Sequence, residues 1–128
     1  MIHALLDTSV VIASPDALTL EPGDSAAISV LTIGELHAGV RLASDPGARA
    51  LRQARLAAVR EAFEPLPVDE TVARHYGELL AIARTERRSS KATDLLIIAT
   101  ASASGRTLIT LDDAQASLAH LAGVAVNP

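Results

Sequence analysis

The sequence predicts an α/β fold, a three-layer α/β/α sandwich with a short, mainly parallel central sheet, formed by one domain over residues 1–128. Three observations carry that expectation. Short apolar runs alternate with longer stretches of helical period along the chain, the pattern of strands joined by helices. Hydrophobic residues make up 49% of the chain but aromatics only 2%, so the core must be built from Leu, Val, Ile and much Ala. Such small side chains suit helices packed closely on both faces of a parallel sheet. At 128 residues and 20% charged, the chain is long enough to bury a core and too apolar to be disordered.

The elements follow in order. Residues 2–6 read as a short buried strand, and 8–13 begin a helix. The segment 15–24 holds Pro15, Pro22 and Gly23 and reads as a loop or irregular helix. AAISV, 26–30, is a second strand. From Thr32 to about Ala43, Ile33, Leu36 and Val40 recur at helical spacing, and Asp45-Pro46-Gly47 reads as a break. A further helix spans 48–63, with Arg49, Arg52 and Arg55 on a solvated side. Pro65 to Val68 reads as an extended link. A long helix over 69–86 has Val72, Leu79, Leu80, Ile82 and Ala83 as core candidates. The polar run 84–93 ends it, and LLIIATASA, 95–103, is helical by length and Ala content. TLIT, 107–110, and GVAVN, 123–127, read as the last strands.

Composition narrows the chemistry. There is no Cys, so neither disulfides nor thiolate metal sites are available. The apolar N-terminal run lacks a basic flank and is broken by Asp7, so it does not read as a signal peptide. No apolar segment approaches the roughly 18 residues of a membrane span, and a cytoplasmic location without membrane association is the expectation. The net charge of -4 gives no global attraction to nucleic acid, so such a partner would need a local basic surface.

Four acids stand out, each with an ordinary structural explanation. Asp7, inside ALLDTSVVIA, directly follows the first strand and reads equally as a helix N-cap. Thr32-x-x-Glu35 matches a capping box, although Gly34 leaves open space beside Glu35. Asp94 opens an apolar helix, where the helix dipole favours a carboxylate by about 0.3–1 kcal/mol. Asp112-Asp113 follows LIT as a turn or helix start. Jointly they suggest more, because acids at strand ends and helix starts of one small α/β domain can converge outside the carboxyl edge of the sheet. Such a cluster repels itself unless a cation neutralises it. Without Cys, and with four His standing singly, hard-oxygen coordination of Mg²⁺ or Mn²⁺ suits it.

These residues also carry a family resemblance. DTSVVIA at 7–13, ISVLTIGELHAGV at 28–40, TDLLIIATASASG at 93–105 and LITLDD at 108–113 resemble, in order and nearly end to end, the four signature segments of PIN-domain ribonucleases. The similarity is nearest to VapC-type toxins of bacterial toxin–antitoxin pairs. The resemblance implies that Asp7, Glu35, Asp94 and Asp112 form a catalytic, metal-holding acidic site, with Thr8, Ser9 and Thr110 orienting it. Asp112 rather than Asp113 is matched, through Thr110-Leu111-Asp112. The chain departs from the family pattern in lacking an aromatic residue soon after Asp112, in carrying ERRSSKAT before Asp94, and in a shortened connection between Asp7 and Glu35.

The implied activity is hydrolysis of RNA phosphodiester bonds assisted by one or two Mg²⁺ or Mn²⁺ ions, roughly 3.5–4 Å apart if two bind. Arg84, Arg87, Arg88 and Lys91 are the candidates for phosphate contact, with a solvated helix end as the equal alternative. The resemblance further implies a small VapB-like antitoxin that covers the acids, and a homodimer. Two other classes compete: a catalytically silent PIN-like binding module, and another Mg²⁺-dependent phosphotransfer or phosphatase domain. A haloacid-dehalogenase-like phosphatase needs a second Asp where Ser9 stands. A receiver needs a late Lys, yet the only one is Lys91. Ser9 has no His–Asp relay in view, which disfavours a serine hydrolase.

Overall fold

The computed structural model describes residues 1–13 and 21–127; the part of the expected 15–24 loop at 15–20 lies outside them. The order is β1 (His3–Leu6), α1 (Thr8–Ala13), β2 (Ser25–Ser29), α2 (Val30–Leu42), α3 (Pro46–Ala62), β3 (Glu64–Leu66), α4 (Glu70–Thr85), α5 (Ala92–Ser104), β4 (Thr107–Ile109) and α6 (Asp113–Leu121). All strand pairs are parallel, in the order β3-β2-β1-β4. Leu5 of the central β1 pairs with Ala27 on one side and Leu108 on the other.

The two-residue side-chain period of the strands divides the core into two layers. Leu5, Ala27 and Leu108 face one way, against Val72, Leu79 and Ala83 of α4, Leu95, Ile98 and Ala99 of α5 and Leu118 of α6. Ala4, Leu6 and Ile28 face the other way, against Val11 of α1, Leu36 and Val40 of α2, and Leu56 and Val59 of α3. This is the expected α/β/α sandwich. The buried side chains of both clusters are aliphatic, with Tyr76 and Phe63 packed at their margins, and the fully buried Ala99 and Ala101 let α5 lie close to the sheet.

Strand order fixes where a site can form. The chain steps from β1 to β2 to β3 in one direction, then returns to place β4 on the far side of β1. Order therefore reverses between β1 and β4, and crevices of open parallel sheets open at the carboxyl ends of such a pair. Asp7 follows β1, and Thr110 to Asp112 follow β4.

Several boundaries differ from the sequence reading, each for a local reason. Helix α2 begins at Val30 rather than Thr32, because Ser29 caps it through Oγ, which accepts from Leu31 N at 3.1 Å. The presumed breaker at 45–47 is the start of α3: Asp45 caps it by accepting from Ala48 N at 2.8 Å, and Pro46 occupies the first turn, where its missing N–H costs nothing. The expected link at 65–68 is edge strand β3, which tolerates Pro65 because the outer side of an edge needs no donor. Helix α5 starts earlier, at Ala92, and stops at Gly105, whose φ of 65° ends the helix in the left-handed region. The expected strand at 123–127 is reduced to a single parallel bridge between Leu108 and Val126. Helix α6 has no counterpart in the sequence reading beyond the helix start noted at Asp112-Asp113.

Candidate active site

Asp7 is buried, with 4% of its surface exposed, at the first bend after β1. Its Oδ2 accepts from Ser9 Oγ at 2.6 Å and from Thr110 Oγ1 at 2.9 Å, with Ser9 N more distant at 3.4 Å. Helix α1 takes its first hydrogen bonds from the Asp7 carbonyl, which accepts from Val10 N at 3.0 Å. The main chain of Asp7 thus starts the helix, while its carboxylate is held chiefly by hydroxyls from α1 and the end of β4. Thr110 is fixed in turn: Asn127 Oδ1 accepts from its N–H at 2.8 Å, and Asn127 Nδ2 donates to its carbonyl at 3.0 Å.

Glu35 does not close a capping box. It stands inside α2, one and a half turns from the cap, and its Oε1 accepts from Thr8 Oγ1 at 2.7 Å. Thr8 and Thr32 are both buried, with their hydroxyl oxygens 2.9 Å apart. The thread Thr32–Thr8–Glu35 therefore ties α2 to α1 beside Asp7. A Cβ at Gly34 would meet nothing within 4 Å, so the surface next to Glu35 is open.

Asp94 lies half-buried in the first turn of α5, behind Lys91, which caps the helix without a side-chain bond. Its carboxyl is pushed above the ordinary carboxylate value first by burial, then by the charges of Asp7, Asp112 and Glu35, while Lys91 partly offsets them. All three other acids therefore act on Asp94. Asp112 is the exposed N-cap of α6, with Oδ1 accepting from Gln115 N at 3.1 Å. Asp113 is the first residue of that helix. A cleft of about 310 Å³ opens between α5 and α6, lined by Asp94, Asp112 and Gln115 and by Arg88, Ser89 and Lys91.

Of the basic candidates, Arg88 and Lys91 line this cleft, whereas Arg84 and Arg87 do not. Arg84 ends α4, and Arg87 occupies the turn after it with a φ of 54°. Arg88 is committed to α6, donating from Nη1 to Ser117 Oγ at 3.2 Å and from Nη2 to Ala114 O at 3.3 Å. Arg52 and Arg55 border a second groove, about 230 Å³, with Ile12, Glu35, Leu36 and Gly39. Arg52 reaches it by donating to Gly39 O at 2.7 Å.

Sequence reasoning missed three residues of the site. Thr32 reads from sequence as a cap, and Asn127 as part of a strand that is only a bridge. Gln115 is 4% exposed, and one end of its amide lies 3.2 Å from both carboxylate oxygens of Asp7. Two acceptors there assign the nitrogen to that end as donor, in preference to the single longer contact of 3.4 Å to Asp94 O. The only available signal for Gln115 was a polar residue at a helix position otherwise suited to Leu or Ala.

The donor set is all oxygen and fits a hard divalent cation. Among the described residues, no three His, Cys, Asp or Glu side chains stand close enough as oriented to share one ion directly. The arrangement therefore suits Mg²⁺, which commonly takes one or two carboxylates and keeps several waters.

A parallel sheet with Asp7, Glu35 and Asp112 gathered near Asp94 at its switch point has the architecture of an α/β/α domain of the PIN type. The PIN domain family model matches residues 4–121. Ribonuclease VapC5 of Mycobacterium tuberculosis is 36% identical over 125 residues, covering 95% of this chain and 92% of that protein. Ribonuclease VapC8 from the same species is 46% identical over 101 residues, covering 76% of this chain and 88% of that protein. The crystal structure of VapBC-5, a member of the VapBC family of toxin–antitoxin systems from M. tuberculosis, superposes with a TM-score of 0.85 at 36% identity, covering 98% of each chain. The chain belongs to the PIN domain family, among its VapC-type members.

Proposed function

We propose that this protein is an endoribonuclease toxin that hydrolyses RNA phosphodiester bonds with the help of one or two Mg²⁺ or Mn²⁺ ions, and that a VapB-like antitoxin neutralises it. The carrying observation is the gathering of acids from four elements. Asp94 and Asp112 line one cleft, and Thr110 bonds both Asp7 and the Asp112 N–H. Glu35 is tied to Thr8 beside Asp7, and the three others raise the Asp94 carboxyl. A half-buried acid with three acidic neighbours is poorly accounted for by helix capping and well accounted for by a cation. The relatives named ribonucleases support the reaction class, and the VapBC neighbour supports the antitoxin.

In this reading Asp7 and Asp94 hold the ion, with Glu35 and Asp112 reaching it directly or through water. Held by these carboxylates, a divalent cation would supply Lewis acidity toward water and the phosphate. Ser9 and Thr110 fix the plane of the Asp7 carboxylate, and Thr8 fixes Glu35, so these acids need little reorganisation when the phosphate arrives. Lys91 attracts the phosphate into the cleft against the acids. Arg88 shapes the cleft wall through its bonds to α6 rather than reaching freely for RNA.

The groove beside Glu35 supports the antitoxin assignment: Ile12 and Leu36 offer an apolar floor, and a basic side chain laid along it would meet the Glu35 carboxylate. Exposed Leu42 and Leu51, 79% and 74% accessible, offer apolar surface for a second copy in a homodimer. No helix of the described residues is long and apolar enough to cross a membrane, and we place the protein in the cytoplasm as one domain over residues 1–128.

The test is RNA cleavage by the purified chain, freed of antitoxin, with Mg²⁺ or Mn²⁺, comparing wild type with Asp7→Asn and Asp94→Asn, each checked for folding by circular dichroism. The proposal expects divalent-dependent cleavage lost in both variants. Cleavage that survives chelation, or a folded Asp94→Asn as fast as wild type, overturns it.

A further inference from the structure

Two stretches of this chain read as capping boxes, and neither closes as one. Thr32-x-x-Glu35 is diverted because Ser29 takes the cap. Asp112-x-x-Gln115 forms only its first half: Asp112 Oδ1 accepts from Gln115 N at 3.1 Å, but the reciprocal bond from the Gln115 side chain to Asp112 N does not form. Thr110 Oγ1 occupies that N–H, accepting from it at 3.0 Å. The Gln115 side chain is thereby released from its usual local partner and turns inward, 4% exposed, to Asp7.

The two oxygens of Asp7 are not equivalent. Oδ2 accepts from the hydroxyls of Ser9 and Thr110. The Gln115 amide lies 3.2 Å from both oxygens, so its donor is shared between them, and it is the one side-chain donor on Oδ1 among the described residues. A carboxylate oxygen that already accepts from two hydroxyl donors has less capacity left, so Oδ1 is the oxygen of Asp7 better suited to hold a cation. A cation held there would share its oxygen with the Gln115 N–H, whose positive end faces the carboxylate.

We propose that Gln115 is a positioning residue that competes with the divalent cation for Oδ1 of Asp7 and so weakens the site's affinity for the metal. Resting on the metal-dependent reading above, the inference adds a residue that the four-acid pattern does not contain. With the donor in place, the buried carboxylate is satisfied by protein alone. Metal binding then exchanges one favourable contact for another rather than filling an unpaired oxygen. Removing the donor leaves Oδ1 unpaired in the metal-stripped protein, and binding recovers that loss.

Gln115→Met keeps the length and volume of the side chain and deletes its donor; Gln115→Asn keeps the amide but is one methylene too short to reach. Mn²⁺ titrations by calorimetry on metal-stripped wild type and both variants test the idea, with folding checked by circular dichroism. The expected result is Mn²⁺ binding roughly tenfold tighter in Gln115→Met, the scale of one hydrogen bond to a charged group, and tighter in Gln115→Asn as well. A residue that only fills space would lower stability and leave the affinity alone. Unchanged or weaker binding by the folded variants, beside a wild type that binds, overturns the inference and leaves the metal reading standing. No Mn²⁺ binding by any of the three overturns the metal reading, and the inference with it. Should one variant fail to fold, the other decides.

Discussion

Thr8 Oγ1 donates to Glu35 Oε1 at 2.7 Å across 27 positions of sequence. Because Thr8 has one hydroxyl proton and spends it on the carboxylate, the contact with Thr32 at 2.9 Å must run from Thr32 to Thr8. A relay Thr32 to Thr8 to Glu35 results, each bond polarising the next. Thr32 is fully buried and Thr8 nearly so, so the relay holds the exposed Glu35 from behind.

Thr8→Val keeps the shape and removes both roles of the hydroxyl. The expected loss of stability is about 1–2 kcal/mol, since Glu35 and Thr32 each lose a partner, and urea denaturation measures it. RNA cleavage should fall roughly tenfold in kcat with little change in KM, because orientation of an acid rather than binding of RNA is affected. Thr8→Ser should recover most of both. A valine variant with wild-type turnover would remove Thr8 from the site.

Asp94→Asn should separate function from stability. The Asp94 carboxyl is raised by burial and by three neighbouring acids, so ionised Asp94 works against the fold when no cation is bound. Asparagine removes the charge at nearly constant shape. Scanning calorimetry in chelator should therefore show a higher Tm for Asp94→Asn than for wild type, while cleavage is lost. Added Mg²⁺ should narrow that gap by stabilising only the wild type.

Asp24 gives a pH dependence remote from the site. Its Oδ1 accepts from Ile2 N at 2.7 Å and its Oδ2 from Glu21 N at 2.9 Å, and these backbone bonds, the Ile2 bond foremost, hold its carboxyl below the ordinary 3.8. Between the lowered folded value and 3.8, the unfolded chain binds more protons than the folded one, so stability rises with pH there. The contribution is complete above 3.8 and disappears as pH falls through the folded value. Asp24→Asn should flatten the acid limb of the stability curve in that window and leave it unchanged in shape near neutrality.

Lys91 and Arg84 should behave oppositely. Lys91 lines the cleft with Asp94, and Arg84 does not. Lys91→Ala should raise KM for RNA several-fold and lessen its dependence on salt by roughly one phosphate contact. Arg84→Ala should leave both within error. Equal effects would mean that long-range charge, not the cleft, governs RNA binding.

The fold was legible because its signals are local and repetitive: the apolar runs at 3–6 and 26–29, the Ala-rich α5 and the turn residues between. The acids of the candidate site could be picked out because Asp7, Asp94 and Asp112 directly follow or open such elements. What stayed hidden was the partner of each side chain. Thr32-x-x-Glu35 has the spacing of a cap, and only the competing Ser29 three residues earlier shows that the cap is taken. Lys91 and Arg84 belong to one charge run, yet the turn at Arg87 sends them to different surfaces. Asn127 is invisible for the same reason, because its role depends on a neighbour 17 positions away.

Asn127 carries the last prediction. With a φ of 37°, a backbone region that Asn tolerates better than most residues, it directs both ends of its amide to the main chain of Thr110. The amide thereby serves Thr110 as one more strand residue would, just where regular pairing of β4 has ended. Thr110 in turn donates to Asp7 and accepts from Asp112 N, so the chain's end governs two acids through one threonine. Asn127→Ala should lower stability by about 1–2 kcal/mol for the two lost bonds and reduce kcat more than it changes KM. Asn127→Asp keeps an acceptor for Thr110 N but loses the donor to Thr110 O, and should fall between. If Asn127→Ala loses stability without any loss of turnover at a temperature where it is fully folded, the tail is a structural strap and has no part in aligning Asp7.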